Sequence, residues 1–159
     1  INGHVFGGGL GIVSACDFSL AEENAKFCFS EVRLGLIPAM IGPYVVRSIG
    51  LANSRKLFLT GKVFDTKHAL KINLIDEALP LSKLIDKKEE LVNELLMGAP
   101  KAQEEIKNFL FDITNKDINE TLINKTSQTI ANIRTSPEGQ EGIDAFLNKR
   151  KPSWQNGNS

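Results

Sequence analysis

The sequence predicts an α/β fold that ends in a helical region, and three observations predict it. Over residues 1–80 the apolar residues fall in short runs that alternate or are broken by glycine and proline. Beyond residue 81 they recur at helical spacing almost without interruption. The 159 residues are 42% hydrophobic and 24% charged, the balance of an ordinary globular chain of about one domain.

Taken in order, residues 3–6 read as a short extended segment that Gly7-Gly8-Gly9 breaks. Leu10 to Cys16 is a run of small and apolar residues suited to a tightly buried helix. Phe18 to Leu20 and Lys26 to Phe29 alternate and read as strands. Glu31 to Pro43, with its glycines and two prolines, reads as a loop. Tyr44 to Ile49 and Ala52 to Leu59 read as short helices, closed by Gly50 and Gly61. Asp65-Thr66 can cap a helix running to Lys71, and Leu74 to Ala78 reads as a strand.

In the second part, Leu84, Leu91 and Leu95 make one stripe, with Ile85, Val92 and Leu96 beside it. Ile106, Phe109, Leu110 and Ile113 fit the i, i+3, i+4, i+7 template, and Ile118, Leu122, Ile130 and Ile133 predict a further helix. Ser136-Pro137-Glu138 is a start signal, with Ser136 as N-cap and Pro137 at the first helical position. These helices are too amphipathic to stand alone and are expected to pack on the first part or on another subunit.

Composition excludes several roles. Nineteen Lys+Arg balance nineteen Asp+Glu, so there is no cationic excess of the kind that releases counterions from nucleic acid. No apolar run approaches the ~20 residues that span a bilayer. Cys16 and Cys28 form no disulfide framework, and with His4 and His68 they lack metal-ligand spacing, so no metal is expected. A reducing, cytoplasmic setting is expected. The chain opens at Ile1 inside an apparent strand, so an N-terminal portion is expected to precede it.

Three glycines between a strand and a helix suggest an anion site, because the first N–H groups of a helix have no internal partners. Lys and Ser/Thr do not follow the cluster as a P-loop requires, and the dinucleotide spacing G-x-G-x-x-G is absent. Two readings stay open: a close strand–helix crossing that admits no side chain, or backbone donors aimed at a developing oxyanion.

Beyond these readings, Ile1-Asn2-Gly3-His4-Val5-Phe6-Gly7-Gly8-Gly9-Leu10-Gly11, Ala15-Cys16-Asp17, Ala25-Lys26-Phe27, Ser30-Glu31 and Leu34 to Pro38 occur in fixed order. Leu59-Thr60-Gly61, Leu74-Ile75-Asp76 and the run from Ser136 to Pro152 follow. This set resembles the crotonase superfamily, the enoyl-CoA hydratase/isomerases, over roughly the C-terminal three-fifths of such a protein. The resemblance implies that residues 1–80 are the C-terminal part of a ββα spiral core, and that 81–159 form a helical region covering CoA and mediating oligomerisation. It implies an acyl-CoA substrate, no separate cofactor, and a homotrimer or homohexamer. It places an oxyanion donor at Gly8, the second donor lying in the absent N-terminal half. It places the catalytic carboxylate at Glu31, which is expected to exchange protons beside Phe27, Phe29 and Leu34. Substrate contacts are expected at Gly7, Gly8, Pro38, Phe146 and Lys149; the last two lie three apart, on one helix face near the CoA adenine and phosphates.

The sequence also departs from that pattern. Two-glutamate hydratases of the family carry a second glutamate where this chain has Gly11, and Pro38 to Val46 replaces a glycine-rich run. Three readings follow: a hydratase working through Glu31, a double-bond isomerase with a single base, or a non-catalytic scaffold. Phe27 to Pro38 together with Gly42 to Arg47 resembles the bacterial methylglutaconyl-CoA hydratases, which favours hydration of a branched acyl-CoA in breakdown of leucine or branched isoprenoid acids. Gly11 would leave room for a branched acyl group. Arg33 is read as a surface ion-pair residue, with partnering of an acyl carboxylate as the alternative. His4 is read as a packed or edge residue, with contact to substrate as the alternative, and Asp17 as a turn or cap residue.

Overall fold

The computed structural model describes residues 1–156. Two strand systems and seven α-helices make an α/β architecture in which helix dominates. The elements are β1 (Val5–Phe6), α1 (Gly9–Ala15), β2 (Leu20–Glu22), β3 (Lys26–Cys28), a 3₁₀ turn (Glu31–Leu34), α2 (Gly42–Thr60), β4 (Phe64–Asp65), α3 (Thr66–Lys71) and β5 (Glu77–Leu79). Then come α4 (Leu81–Leu96), α5 (Pro100–Ile113), α6 (Glu120–Thr135), α7 (Pro137–Leu147) and a 3₁₀ turn (Ser153–Gln155). The chain divides into two compact units, Ile1–Glu89 and Glu90 onward.

In the first unit β3 is central, parallel to β1 (Val5 opposite Phe27) and antiparallel to β4 (Phe27 opposite Phe64). A separate parallel pair joins β2 to β5, with Leu20 opposite Glu77. Phe27, Phe29, Leu10, Val45, Leu57 and Phe64 are buried between strands and helices. Phe27 stacks on Phe64 with ring centroids 5.6 Å apart, and Phe29 meets Phe58 edge-on at 4.9 Å. This aromatic centre fixes β3, and β3 delivers the chain to Ser30-Glu31.

Several boundaries follow from local chemistry. The two helices expected around Gly50 are observed as the halves of α2, which breaks at Gly50 (φ 77°, ψ 159°), a conformation open only to glycine. Asp65 caps α3 by accepting the His68 N–H at 2.9 Å, and Ser136 caps α7 by accepting the Gly139 N–H at 3.1 Å.

Other boundaries differ from expectation. The strand expected over Phe18 to Leu20 lies at Leu20–Glu22, because the Ser19 N–H and hydroxyl both donate to the Asp76 carboxylate, at 2.6 and 3.1 Å. The strand expected from Leu74 starts at Glu77, because Leu74 closes α3: its N–H donates to Ala69 O at 2.9 Å behind left-handed Asn73 (φ 59°). Within the expected loop, Glu31–Leu34 winds into a 3₁₀ turn that ends at Gly35 (φ 71°). Helix α1 is less enclosed than its small residues suggest; Leu10 and Gly11 are buried while Ile12 is 71% exposed.

The second unit is built of α-helix with thin internal packing. Among its described residues only Ala145 is buried. Ile106, Leu110, Phe111 and Ile130 keep more than half of their surface exposed. Polar clasps hold its end: Arg150 pairs with both oxygens of Glu141, at 2.7 and 2.8 Å, and Trp154 Nε1 donates to Met97 O at 3.3 Å.

Candidate active site

The glycine turn joins β1 to α1. The Gly7 N–H donates to Cys28 O at 2.9 Å, tying the turn to the end of β3. The Leu10 N–H donates to Gly7 O and the Gly11 N–H to Gly8 O, both at 3.0 Å. Among the described residues these bonds close the turn, and none uses the Gly8 amide as donor. Gly8 is the N-cap of α1, at the positive end of the helix.

Each glycine has its own reason. Gly7 takes φ +56°, a left-handed conformation that L side chains rarely adopt. At Gly9 a Cβ would stand 3.0 Å from Val5 Cγ1, tighter than nine in ten real contacts, so the valine would have to give way. At Gly8 a Cβ would meet nothing within 4 Å. A close strand–helix crossing therefore accounts for Gly9 but not for Gly8.

Glu31 stands directly beside this turn. A Cβ built on Gly7 lies 3.6 Å from Glu31 Oε1 and 3.7 Å from Ser30 Oγ. The other carboxylate oxygen, Oε2, is shielded from solvent and has no hydrogen-bond partner among the described residues. A carboxylate oxygen so placed costs free energy unless something else satisfies it. Of the apolar residues expected beside it, Phe27 and Phe29 are buried, whereas Leu34 is 73% exposed. Pro38 is half-buried, and its carbonyl accepts the Gly42 N–H at 2.8 Å, opening α2.

The space at Gly11 is not vacant. A Cβ at this position would overlap Ile41 Cγ2 and sit 2.7 Å from Ile41 Cβ. Ile41, the N-cap of α2, thus occupies the room that the sequence left to a branched acyl group. No signal in the sequence pairs Gly11 with Ile41. Arg33 has no ion-pair partner among the described residues; its guanidinium donates to Gly61 O at 2.9 Å and Thr60 O at 3.3 Å, closing the C-terminal end of α2. Gly61 O also accepts from the Cys28 thiol at 3.2 Å, and burial raises that thiol's pKa. His4 Nδ1 accepts the Lys26 N–H at 3.1 Å, the edge role expected of it.

Phe146 and Lys149 belong to the second unit. Phe146 is 82% exposed and lines a cleft of about 930 Å³ together with Ile133, Pro137 and Trp154. Lys149 does not share a helix face with it, because α7 ends at Leu147. Lys149 is instead the left-handed residue (φ 52°) of a Schellman turn, in which the Arg150 N–H donates to Ala145 O at 3.0 Å and the Lys149 N–H to Phe146 O at 3.2 Å.

A model of the enoyl-CoA hydratase/isomerase family matches residues 1–157. The chain belongs to this family. A solved structure from Legionella pneumophila, assigned to the enoyl-CoA hydratase/isomerases (crotonases), superposes with a TM-score of 0.90 at 44% identity and covers 96% of this chain and 59% of that one. An enoyl-CoA hydratase from Shewanella pealeana superposes with a TM-score of 0.90 at 39% identity, covering 96% and 57%. The short-chain-enoyl-CoA hydratase of Clostridium acetobutylicum is 28% identical over 152 residues, 95% of this chain and 58% of that protein. The chain thus spans about three-fifths of the length of these relatives, and its fold is that of the crotonases. No helix among the described residues is long and apolar enough to cross a membrane, and no cluster of His, Cys, Asp and Glu among them would hold a metal ion.

Proposed function

We propose that the full-length protein hydrates an α,β-unsaturated, branched acyl-CoA through an oxyanion-stabilised enolate. The observation that carries this reading is the meeting of the Glu31 carboxylate, one oxygen shielded from solvent and without a hydrogen-bond partner among the described residues, with the glycine turn whose Gly8 amide donates no bond among them. The thioester oxygen accepts from Gly8 N–H and from a second donor supplied outside residues 1–159. As water adds to the β-carbon, negative charge moves onto that oxygen, where a preorganised donor at a helix start is worth roughly 10²–10³ in turnover. Glu31 takes the proton from the attacking water and returns a proton to the α-carbon, one carboxyl serving both transfers. Gly7 and Pro38 border the acyl group, Phe146 packs the adenine and Lys149 meets the CoA phosphates. The substrate supplies the only cofactor-like group, coenzyme A itself. The exposed apolar residues of α5 and α6 favour assembly as a homotrimer or a dimer of trimers. The charge balance and the reduced cysteines favour a cytoplasmic setting.

A second reading, enoyl-CoA double-bond isomerisation, is favoured by Ile41. With Ile41 seated over Gly11, the α1 face beyond Gly8 is apolar, and Glu31 is left as the base that removes a proton at one carbon and returns it at another. The experiment is an assay of the full-length protein with crotonyl-CoA and 3-methylglutaconyl-CoA, following loss of the conjugated enoyl thioester absorbance. Hydration is expected, with Glu31→Gln lowering kcat by roughly 10²–10⁴ without loss of fold. Turnover of a 3-enoyl-CoA with neither substrate hydrated would replace the first reading by the second. If neither reaction occurs, the chain is a scaffold.

A further inference from the structure

The first unit carries a second concave site. A groove of about 710 Å³ lies between the second half of α2, β4 and α3. On α2 the lining residues Asn53, Lys56, Leu57 and Thr60 follow the i, i+3, i+4, i+7 spacing of one helix face. On the α3 side His68, Lys71 and Ile72 repeat its first three places. Leu57, Phe64 and Ile72 are buried and form an apolar floor, against which the His68 ring sits edge-on to Phe64 at 5.4 Å.

The rim has a different character. Lys26, Lys56, Lys62 and Lys71 come from β3, α2, the turn after α2 and the end of α3, and all four are exposed at one opening. None of them has an ion-pair partner among the described residues. The one carboxylate in the lining, Asp65, is committed to capping α3 through the His68 N–H. Asn53 and Thr60 are likewise committed, donating to Ile49 O and Lys56 O at 2.8 Å each. Four lysines thus line one groove against a single carboxylate, Asp65, whose pKa is lowered by the His68 N–H and by the charge of Lys26, in a chain whose formal net charge is zero. A general basic surface does not explain that concentration, and a concave low-dielectric floor strengthens its field.

We infer that this groove binds a small phosphorylated molecule with an apolar or aromatic body. Its phosphates meet the lysines, which serve as point charges, and its body lies on Leu57, Phe64 and Ile72. The volume falls in the range of small-molecule sites. None of the lining residues is Gly7, Gly8, Glu31 or Pro38.

The test is calorimetric titration of the full-length protein with ADP in the presence of saturating coenzyme A, with adenosine and inorganic pyrophosphate as partial probes. One saturable ADP site per chain is expected, weakening as ionic strength rises from about 20 mM to about 150 mM. Lys56→Gln and Lys71→Gln are each expected to weaken ADP about fivefold, with unchanged melting temperature and unchanged KM for crotonyl-CoA. Adenosine and pyrophosphate are each expected to bind more weakly than ADP. Absence of saturable ADP binding, or an unaltered affinity in the Lys56→Gln/Lys71→Gln double variant, would overturn the inference. Pyrophosphate binding as tightly as ADP would refute the role of the apolar floor. A raised KM for crotonyl-CoA in the double variant would make the groove part of the acyl-CoA site and refute a separate one.

Discussion

Gly11→Ala reverses its sign with the identity of residue 41. A Cβ at position 11 overlaps Ile41 Cγ2, lies 2.7 Å from Ile41 Cβ and 3.6 Å from Ile41 Cα. The first two carbons must move for the added methyl to fit, and such overpacking costs about 1–3 kcal/mol. In an Ile41→Gly background both carbons are gone, and the remaining Cα at 3.6 Å is an ordinary contact. The change to alanine then contributes only its helix propensity, up to about 1 kcal/mol in favour of the fold. The coupling is therefore about 1–4 kcal/mol, overlapping the range of directly touching residues. Urea unfolding of the four proteins in the cycle measures it, read from the midpoints at constant m. If Gly11→Ala destabilises both backgrounds equally, the Gly11–Ile41 contact does not govern this corner and the exclusion argued from it fails.

The same contact predicts that Gly11→Glu disrupts the wild-type fold but is accepted beside Ile41→Gly, where a gain in the hydration of crotonyl-CoA would show that a second carboxylate has been restored. Lys149→Gly relieves a left-handed lysine (φ 52°), and a rise of about 1–2 kcal/mol in stability is expected together with a higher KM for acyl-CoA; higher stability with unchanged KM would remove Lys149 from the CoA contact. The Arg150 guanidinium, aided by the Ser153 N–H, holds the Glu141 carboxyl down from its ordinary 4.5 to about 2. A carboxylate depressed on folding stabilises above its unfolded pKa, and its contribution disappears as pH falls through the folded one. The melting-temperature gap between wild type and Arg150→Gln is thus expected to be full above about pH 4.5 and to close towards about pH 2, and a gap independent of pH would refute the pairing.

Residues that act on their own segment were readable from the sequence. Ser136 and Pro137 open α7, Asp65 opens α3, and Gly50 breaks α2, because a cap or a φ requirement is satisfied within a few residues. The proximity of Glu31 to the glycine turn came through the family resemblance rather than through spacing, since α1, β2 and β3 lie between them in sequence and it is the β1–β3 pairing that brings them together. What escaped depends on distant partners. Asp76 claims Ser19 across 57 residues and shifts β2, and Arg33 reaches back from its turn to close α2. Periodicity puts Lys149 on a helix face, because it carries no sign that the helix ends two residues earlier in a left-handed turn. Ile41 reads as one more apolar loop residue, although it decides what Gly11 can become.

The four glycines of this turn separate conformational need from chemical need, and Gly8 is the one left over. Gly7 answers to its φ of +56°, Gly9 to Val5 at 3.0 Å and Gly11 to Ile41. Gly8 has φ −55° and ψ −28°, angles that any L residue adopts, and open space where its side chain would lie. Nothing among the described residues forbids alanine there, and the proposed approach of the thioester oxygen to the bare amide is what the glycine would serve. Gly8→Ala is accordingly expected to leave stability within about 0.5 kcal/mol of wild type, the usual range for exposed sites, while lowering kcat/KM by roughly 10² as the methyl displaces the oxygen from its donor. Gly7→Ala, one residue away, is expected to do the reverse in the first measure, costing about 1–2 kcal/mol because alanine must enter the left-handed region. Full activity in a stable Gly8→Ala enzyme would show that no oxyanion depends on this amide, and the turn would be a strand–helix crossing and nothing more.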